Sequence, residues 1–205
     1  PAGYRSLCRL SSLLLTDPAA ADGRTPALPA SALKDQAAGL LCLSGGRRGW
    51  VERLLRQGNR PAAGRAAAWL AGLFGEAAWL ALEVALPGDE QIAAAQVELA
   101  HRLGIGAVAV QPIYTLLPND HDRLRLLTAI ARNVRLADLP PAALPDDGDR
   151  RIALHWPTPE EMTGRFARFP TALAASAMVA ETIGPVLPDG RPIWPVLALP
   201  DGSTP

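Results

Sequence analysis

The glycine- and arginine-rich stretch LSGGRRG, residues 43–49, is the local motif with the clearest chemistry in this sequence. It joins an apolar run to a helical pattern, and backbone N–H groups at the beginning of a helix favour anions. Arg47 and Arg48 would add positive charge there, so the motif indicates a weak anion or nucleic-acid contact. Its spacing matches neither a Walker loop nor a dinucleotide fingerprint. A plain strand-to-helix turn with solvated arginines is the alternative interpretation.

Acidic residues give one further candidate. Glu83 is the only acid inside a predicted strand, where a charge must be paired or lie at an open strand end. Asp120 and Asp122 fall at a predicted helix start, where acids favour the helix dipole without any catalytic task. Three more acids belong to a loop: Asp146, Asp147 and Asp149. Glu83 is therefore the best single candidate for a polar site.

The histidines and cysteines indicate no catalytic centre. His101 and His121 lie on predicted helices among charged neighbours, which predicts solvated faces, and His155 precedes a segment boundary where it could pack. None belongs to an H-x-H or H-E-x-x-H arrangement. Cys8 and Cys42 have apolar neighbours and are predicted to be small buried hydrophobic residues. Since no Ser-His-Asp or Cys-His set can be assembled, we predict no catalytic residue in this sequence.

A second strand-like apolar run ends in an unusual way. It is followed by Gln111, Pro112, Ile113 and Tyr114. In α/β folds the carboxyl ends of parallel strands usually carry the catalytic and binding groups. Here Pro112 and Tyr114 stand where an active site would place a carboxylate, a histidine or a cysteine.

The elements that would position these residues alternate along the chain. Helical patterns cover 4–15, 32–38, 50–57, 61–74, 90–103 and 119–133, and apolar strand patterns cover 40–44, 78–86 and the run before Gln111. Ser31 and Asp89 are predicted to cap the helices that follow them. This alternation predicts an α/β fold with a parallel sheet or barrel covered by helices.

The character of the sequence changes after about residue 137. Residues 138–150 are proline-rich and acidic and are predicted to be a linker. A capping box from Thr158 to Glu161 predicts a helix start, and a second helix begins at Pro170. The last twenty or so residues hold too many prolines for regular structure. We therefore predict a partial α/β domain at 1–137 and a helical hairpin with an extended tail at 151–205.

The composition of the sequence restricts the binding partners and the cellular compartment that can be expected. The 205 residues include 20 basic and 20 acidic side chains, so the formal net charge is zero. Such a balance gives no electrostatic footprint for tight nucleic-acid binding by this stretch alone. No run is apolar enough to span a membrane and no signal peptide opens the sequence, so we expect a cytoplasmic protein without a membrane partner. The sequence begins without a methionine and is expected to be a fragment.

Five stretches follow one another in a specific order: GYRSLCRL at 3–10, GLLCLSGGRRG at 39–49, PNDHDRLRLLTAI at 118–130, HWPTPEEMTGRFARFPTALAASAMVAE at 155–181 and PIWPVLALPDGSTP at 192–205. Together with Glu83 in a strand before a helix, this order resembles the later part of the PHP domain, and the following connector, of bacterial C-family DNA polymerases. Those are the DNA polymerase III alpha subunit and its error-prone relative. The resemblance covers essentially the whole chain.

The resemblance implies a distorted β/α barrel whose rim can hold a cluster of divalent metals. It implies an H-x-H strand before this sequence, a histidine shortly after the strand glutamate, and an aspartate and a histidine at a later strand end. Glu83 is retained, whereas Leu86, Pro112 and Tyr114 stand at the other three positions. Because Zn²⁺ and Mn²⁺ take imidazole or carboxylate donors, the metal site is predicted to be degenerate.

The resulting hypothesis is a fragment of a DNA polymerase III alpha-type subunit in which this region is a structural or interaction domain. The resemblance implies a parent that adds deoxynucleotides to a primer with Mg²⁺, contacts DNA and can bind other replisome subunits. Its catalytic aspartates would lie downstream, and no cofactor is expected within the fragment. Two alternatives stay open: a standalone PHP-type metallophosphoesterase with ligands in a missing N-terminal part, and a non-catalytic interaction module.

Overall fold

The computed structural model describes residues 2–18 and 27–185. In this part of the chain the helices are α1 (Ala2–Leu15), α2 (Ala30–Asp35), α3 (Trp50–Arg56), α4 (Arg60–Phe74), α5 (Asp89–Leu103), α6 (His121–Ala131), α7 (Pro159–Arg165) and α8 (Pro170–Thr182). The strands are β1 (Cys42–Leu43), β2 (Ala78–Leu82) and β3 (Gly106–Ala109).

The three strands form one parallel sheet in the order β1-β2-β3. Cys42 pairs with Ala78 at one side of β2, and Leu82 pairs with Ala109 at the other. Parallel neighbours need long crossover connections, and here α3 and α4 connect β1 to β2 while α5 connects β2 to β3. The predicted α/β class is therefore confirmed, and the carboxyl ends of all three strands meet at one edge.

The core lies on both faces of the central strand. On one face of β2, Leu80 packs against α3, α4 and α5, and Leu82 packs near Phe166 and the beginning of α8. Trp79 lies on the opposite face and packs against the cluster of Val108, Ala175 and Val179. Val108 on β3 meets Ala175 and Val179 of α8. Each fully buried side chain of this size contributes about 1.5–3 kcal/mol relative to its exposed state. The strands are therefore packed between one helical layer of α3, α4 and α5 and a second layer that contains α8.

Two helix starts show how local sequence sets the element boundaries. The Asn59 side chain accepts a hydrogen bond from the N–H of Ala62 at 3.1 Å and begins α4. At α7, Thr158 and Glu161 exchange bonds: the Glu161 N–H donates to the Thr158 hydroxyl at 3.2 Å, and the Thr158 N–H donates to the Glu161 carboxylate at 2.7 Å. The predicted capping box is confirmed.

Other local predictions were wrong. Ser31 lies inside α2, which begins after Pro29 without a side-chain cap. Asp89 is the first residue of α5, and its carboxylate accepts from N–H groups that precede the helix. The predicted strand at 40–44 shortens to two residues. Among the described residues this strand lies at the edge of the sheet, and its Leu43 side chain is exposed.

The two cysteines are less buried than predicted. Cys8 is exposed and Cys42 is half-buried. The prediction fails because α1 buries only its Ser6 and Leu10 side of the helix. Ser6 donates to the carbonyl of Ala38, which places that face, and not the face of Cys8, against the rest of the chain.

The segment after β3 pairs with a later part of the chain. A short parallel bridge joins Thr115 to His155, and the predicted linker at 138–150 contains the buried side chains of Leu144 and Asp146. The proposed domain boundaries stay a prediction, and the predicted tail beyond residue 185 lies outside the described residues. None of the described helices has the length and apolar character needed to cross a lipid bilayer.

Candidate functional site

Three chain segments meet where the strands end. Ser44, directly after β1, accepts a hydrogen bond at its hydroxyl from the N–H of Ala81 at 2.9 Å. The N–H of Val110, directly after β3, donates to the carbonyl of Leu82 at 2.9 Å. Glu83 follows β2 between them and is buried. The turn at residues 44–49, Glu83 and the end of β3 therefore form one site.

The turn at 44–49 is built around the carboxylate of Glu83. The Arg47 N–H donates to Glu83 Oε2 at 3.1 Å, and Arg47 Nε donates to Oε1 at 3.3 Å. Gly46 has a φ of +55°, and a Cβ there would lie 2.7 Å from Glu83 Oε2. Glycine is required for both reasons. The anion that occupies this turn is a side chain of the protein itself.

Arg47 also reaches a second carboxylate. Its guanidinium lies 2.5 Å from Asp89 Oδ2, while Arg56 donates to Asp89 Oδ1 at 2.9 Å. Burial opposes ionisation of Asp89, but the N–H groups of Ala85 and Leu86 and the two arginines outweigh it and lower its pKa. Asp89 is therefore a fixed negative charge that connects two arginines.

Glu52 completes this charged cluster. Its Oε1 accepts from Nε and from a terminal nitrogen of Arg56, whereas its Oε2 is buried and has no partner among the described residues. Burial raises the pKa of Glu52 to about 7, although Arg56 opposes the shift. Three buried carboxylates thus share two arginines, and one of the three carries a proton over part of the neutral pH range.

The residues at the implied metal positions do not fit a divalent ion. Both oxygens of Glu83 accept hydrogen bonds from Arg47. Leu86 makes backbone hydrogen bonds only: its N–H donates to the Asp89 carboxylate and its carbonyl accepts from the Asp89 N–H. The backbone N–H of Tyr114 donates to the carbonyl of Leu154. Across residues 2–18 and 27–185, no group of three His, Cys, Asp or Glu side chains is arranged to hold a metal ion.

Arg48 behaves differently from Arg47. The side chain of Arg47 is 14% exposed, whereas Arg48 and its partner Asp147 are 52% and 61% exposed. Arg48 donates to Asp147 at 2.9 Å and to the carbonyl of Leu144 at 2.7 Å. The two arginines that the sequence pairs as anion contacts are therefore separated by the fold, and only Arg48 faces solvent.

Sequence reasoning missed one buried pair. His121 Nε2 lies 2.7 Å from Asp146 Oδ2, and His121 Nδ1 is buried without a partner among the described residues. The prediction of a solvated His121 was wrong because the segment containing Asp146 folds back onto the beginning of α6. No local signal could have indicated this contact between distant residues. His101 is exposed as predicted, and His155 lies 3.2 Å from Glu161.

Comparisons with known proteins identify relatives along the whole chain, although no protein-family model matches the sequence. The chain is 32% identical, over its full length, to the error-prone DNA polymerase of Symbiobacterium thermophilum. It is 26% identical over 98% of its length to the DNA polymerase III subunit alpha of Bacillus subtilis. It is also 32% identical to the error-prone DNA polymerase of Mycobacterium tuberculosis. The chain spans 17% to 20% of the length of these relatives.

Proposed function

We propose that this chain, whose relatives are bacterial C-family DNA polymerases, is the later part of a PHP-type domain with a degenerate metal site and a structural role in such a polymerase. The activity of the parent belongs to the same proposal: Mg²⁺-dependent addition of deoxynucleotides to a primer on DNA, with other replisome subunits as possible partners. The polymerase resemblance drawn from the sequence is confirmed at the family level.

The observation that carries the proposal is the position of the Arg47 guanidinium between Glu83 and Asp89. Buried carboxylates need a counter-charge. In a metal centre the bound ion supplies that charge, whereas here a cation attached to the chain supplies it. A divalent ion would have to displace Arg47 from both carboxylates. The arrangement supports a domain that keeps its charge balance without a metal.

The residues at the other three implied metal positions also support a domain without a bound metal. Leu86 and Pro112 carry no side-chain atom that could ligate Zn²⁺ or Mn²⁺. Tyr114 is exposed and lies beyond the sheet edge. Since hydrolytic PHP chemistry would need a metal cluster at this edge, a scaffolding role within the polymerase fits these residues better than phosphoester hydrolysis.

The test is local hydrogen exchange in the full-length protein. We expect Mn²⁺, Zn²⁺ or EDTA to leave the amide protection of residues 83–92 unchanged in the natural sequence. In the Arg47→Ala variant, which removes the cation that Glu83 and Asp89 share, protection of the same peptide should fall by the same amount with Mn²⁺ as with EDTA. The Arg48→Ala variant is the matched control and should show no response.

Either of two results would contradict the proposal. Metal-dependent protection of residues 83–92 in the natural protein would mean that a metal is bound despite Arg47, which favours the metallophosphoesterase alternative. Failure of the full-length protein to extend a primer with Mg²⁺ would remove the proposed activity of the parent. Peptide-level readout keeps Mg²⁺ binding elsewhere in the protein from being mistaken for binding at this site.

A further inference from the structure

Two adjoining concavities lie beside the turn at 44–49. The arginine recess has a volume of about 520 Å³ and is lined by Arg47, Arg48, Arg53, Arg56, Gln57 and Asp147. The tryptophan cavity has a volume of about 690 Å³, and its lining includes Leu43, Trp50 and Trp69. Arg48 and Arg53 line both, so the two form one continuous surface.

Two of the four arginines in the arginine recess can accept an external anion. Arg47 and Arg56 are held by the buried carboxylates described above. The side chain of Arg53 is exposed and makes no hydrogen bond or ion pair with any described residue. Arg48 is paired only with the exposed Asp147 and a backbone carbonyl. Exposed pairs of this kind are weak and are easily exchanged for a better partner.

The tryptophan cavity supplies an aromatic face next to these cations. Trp50 is 63% exposed, and its ring lies 6.1 Å from that of Trp69 at an angle of 44°. Trp50 and Arg53 are three residues apart on α3, which places them on the same helical face. An exposed aromatic ring beside exposed guanidinium groups is the combination that binds single-stranded nucleic acids.

We propose that this surface binds single-stranded nucleic acid, with a base stacked on Trp50 and the adjoining phosphate held by Arg48 and Arg53. The inference rests on the proposed function in one respect, namely that the parent protein handles DNA. Asp147 competes with the phosphate for Arg48 in this arrangement. The Leu43 side of the cavity would also suit a covering polypeptide, but such a cover would leave Arg53 without an anionic partner.

The experiment is photo-crosslinking of the full-length protein to a single-stranded oligonucleotide that carries 5-iodouracil, with the adduct located by mass spectrometry. We expect an adduct on Trp50. Its yield should fall at least tenfold in Arg48→Ala combined with Arg53→Ala, and rise about twofold in Asp147→Asn. Trp156→Leu and Arg132→Ala are matched controls and should leave the yield unchanged, because both residues are exposed and line neither concavity.

Three outcomes would overturn the inference: no adduct on Trp50, an adduct that survives loss of both arginines, or a Trp50 that resists chemical oxidation without DNA. The last would show that another part of the full-length protein covers the surface. A metal-dependent change at residues 83–92 would contradict the proposed function but would leave the crosslinking result intact, so the two failures can be told apart.

Discussion

Glu83 accepts two hydrogen bonds from Arg47, one from the backbone N–H and one from the guanidinium. The contact fixes the turn at 44–49 against the end of the central strand. A buried ion pair gives little net stability over an apolar replacement, but removal of one partner is costly because it leaves an uncompensated charge. The network is thus better described as a determinant of turn position than as a source of stability.

Arg47→Ala tests that description. We expect a local destabilisation of about 3–5 kcal/mol, because Glu83 and Asp89 lose their shared cation. Arg48→Ala should cost only about 0–1 kcal/mol, since its pair with Asp147 is exposed. Amide exchange in β2 and the first turn of α5 measures both. Adding Glu83→Gln to Arg47→Ala should recover part of the loss, and strict additivity of the two changes would refute direct coupling.

Gly46→Ala probes the close approach of the same carboxylate. A left-handed φ costs a non-glycine residue about 1–2 kcal/mol, and the new Cβ would also lie 2.7 Å from Glu83 Oε2. Gly58→Ala is the control, since Gly58 has a φ of +74° and open space around its Cβ position. We expect Gly46→Ala to be the more destabilising by about 1–3 kcal/mol, the usual range for overpacking. Equal losses in urea unfolding would contradict the contact.

Glu52 should make local stability depend on pH. Its pKa rises from 4.5 to about 7 on folding, so between these values the folded state holds a proton that the unfolded state has released. The free energy of unfolding therefore falls as pH rises through this window, by roughly 3 kcal/mol at most, and is level above it.

Glu52→Gln should remove most of this dependence of the free energy of unfolding on pH. At pH 8 the variant should be more stable than the natural protein. Amide exchange of α3, corrected for intrinsic rates, measures the effect at several pH values. Glu98→Gln, a change at an exposed residue of α5, should leave the slope in place. A natural protein whose α3 stability does not change from pH 5 to 8 would rule out the burial effect.

Asp146→Ala tests whether the His121 contact holds the 138–150 segment in place. Loss of a buried hydrogen bond to a charged group costs about 1.5–3 kcal/mol. We expect faster limited proteolysis within 138–150 and little change in β2. Asp149→Ala, which removes a partner of the exposed Arg151, should not alter cleavage. An Asp146→Ala protein that is cut no faster than the natural one would show that the segment is held by other contacts.

Local signals in the sequence predicted most elements. Pro61 at the beginning of α4 and the Thr158–Glu161 capping box of α7 act within one helical turn, so both helices could be located from their own residues. Ser31 and Asp89 show the limit of the same rule. Each has the right residue type at a helix start, but the carboxylate of Asp89 forms ion pairs with Arg47 and Arg56, which are distant in sequence.

The candidate site was only partly predictable for the same reason. A strand acid must be paired or lie at a strand end, and Glu83 does both. The identity of its partner, the separation of Arg47 from Arg48 and the burial of His121 depend on how the crossovers pack. Such contacts join residues tens of positions apart, and no local pattern encodes them.

The order β1-β2-β3, identical to the order along the chain, has a consequence for synthesis on the ribosome. Each strand that emerges finds its neighbour already made, with its crossover helix between them. The nascent sheet can therefore grow one strand at a time without waiting for later sequence. Among the described elements, α8 is made after all three strands, and its packing on β3 covers the apolar side chain of Val108.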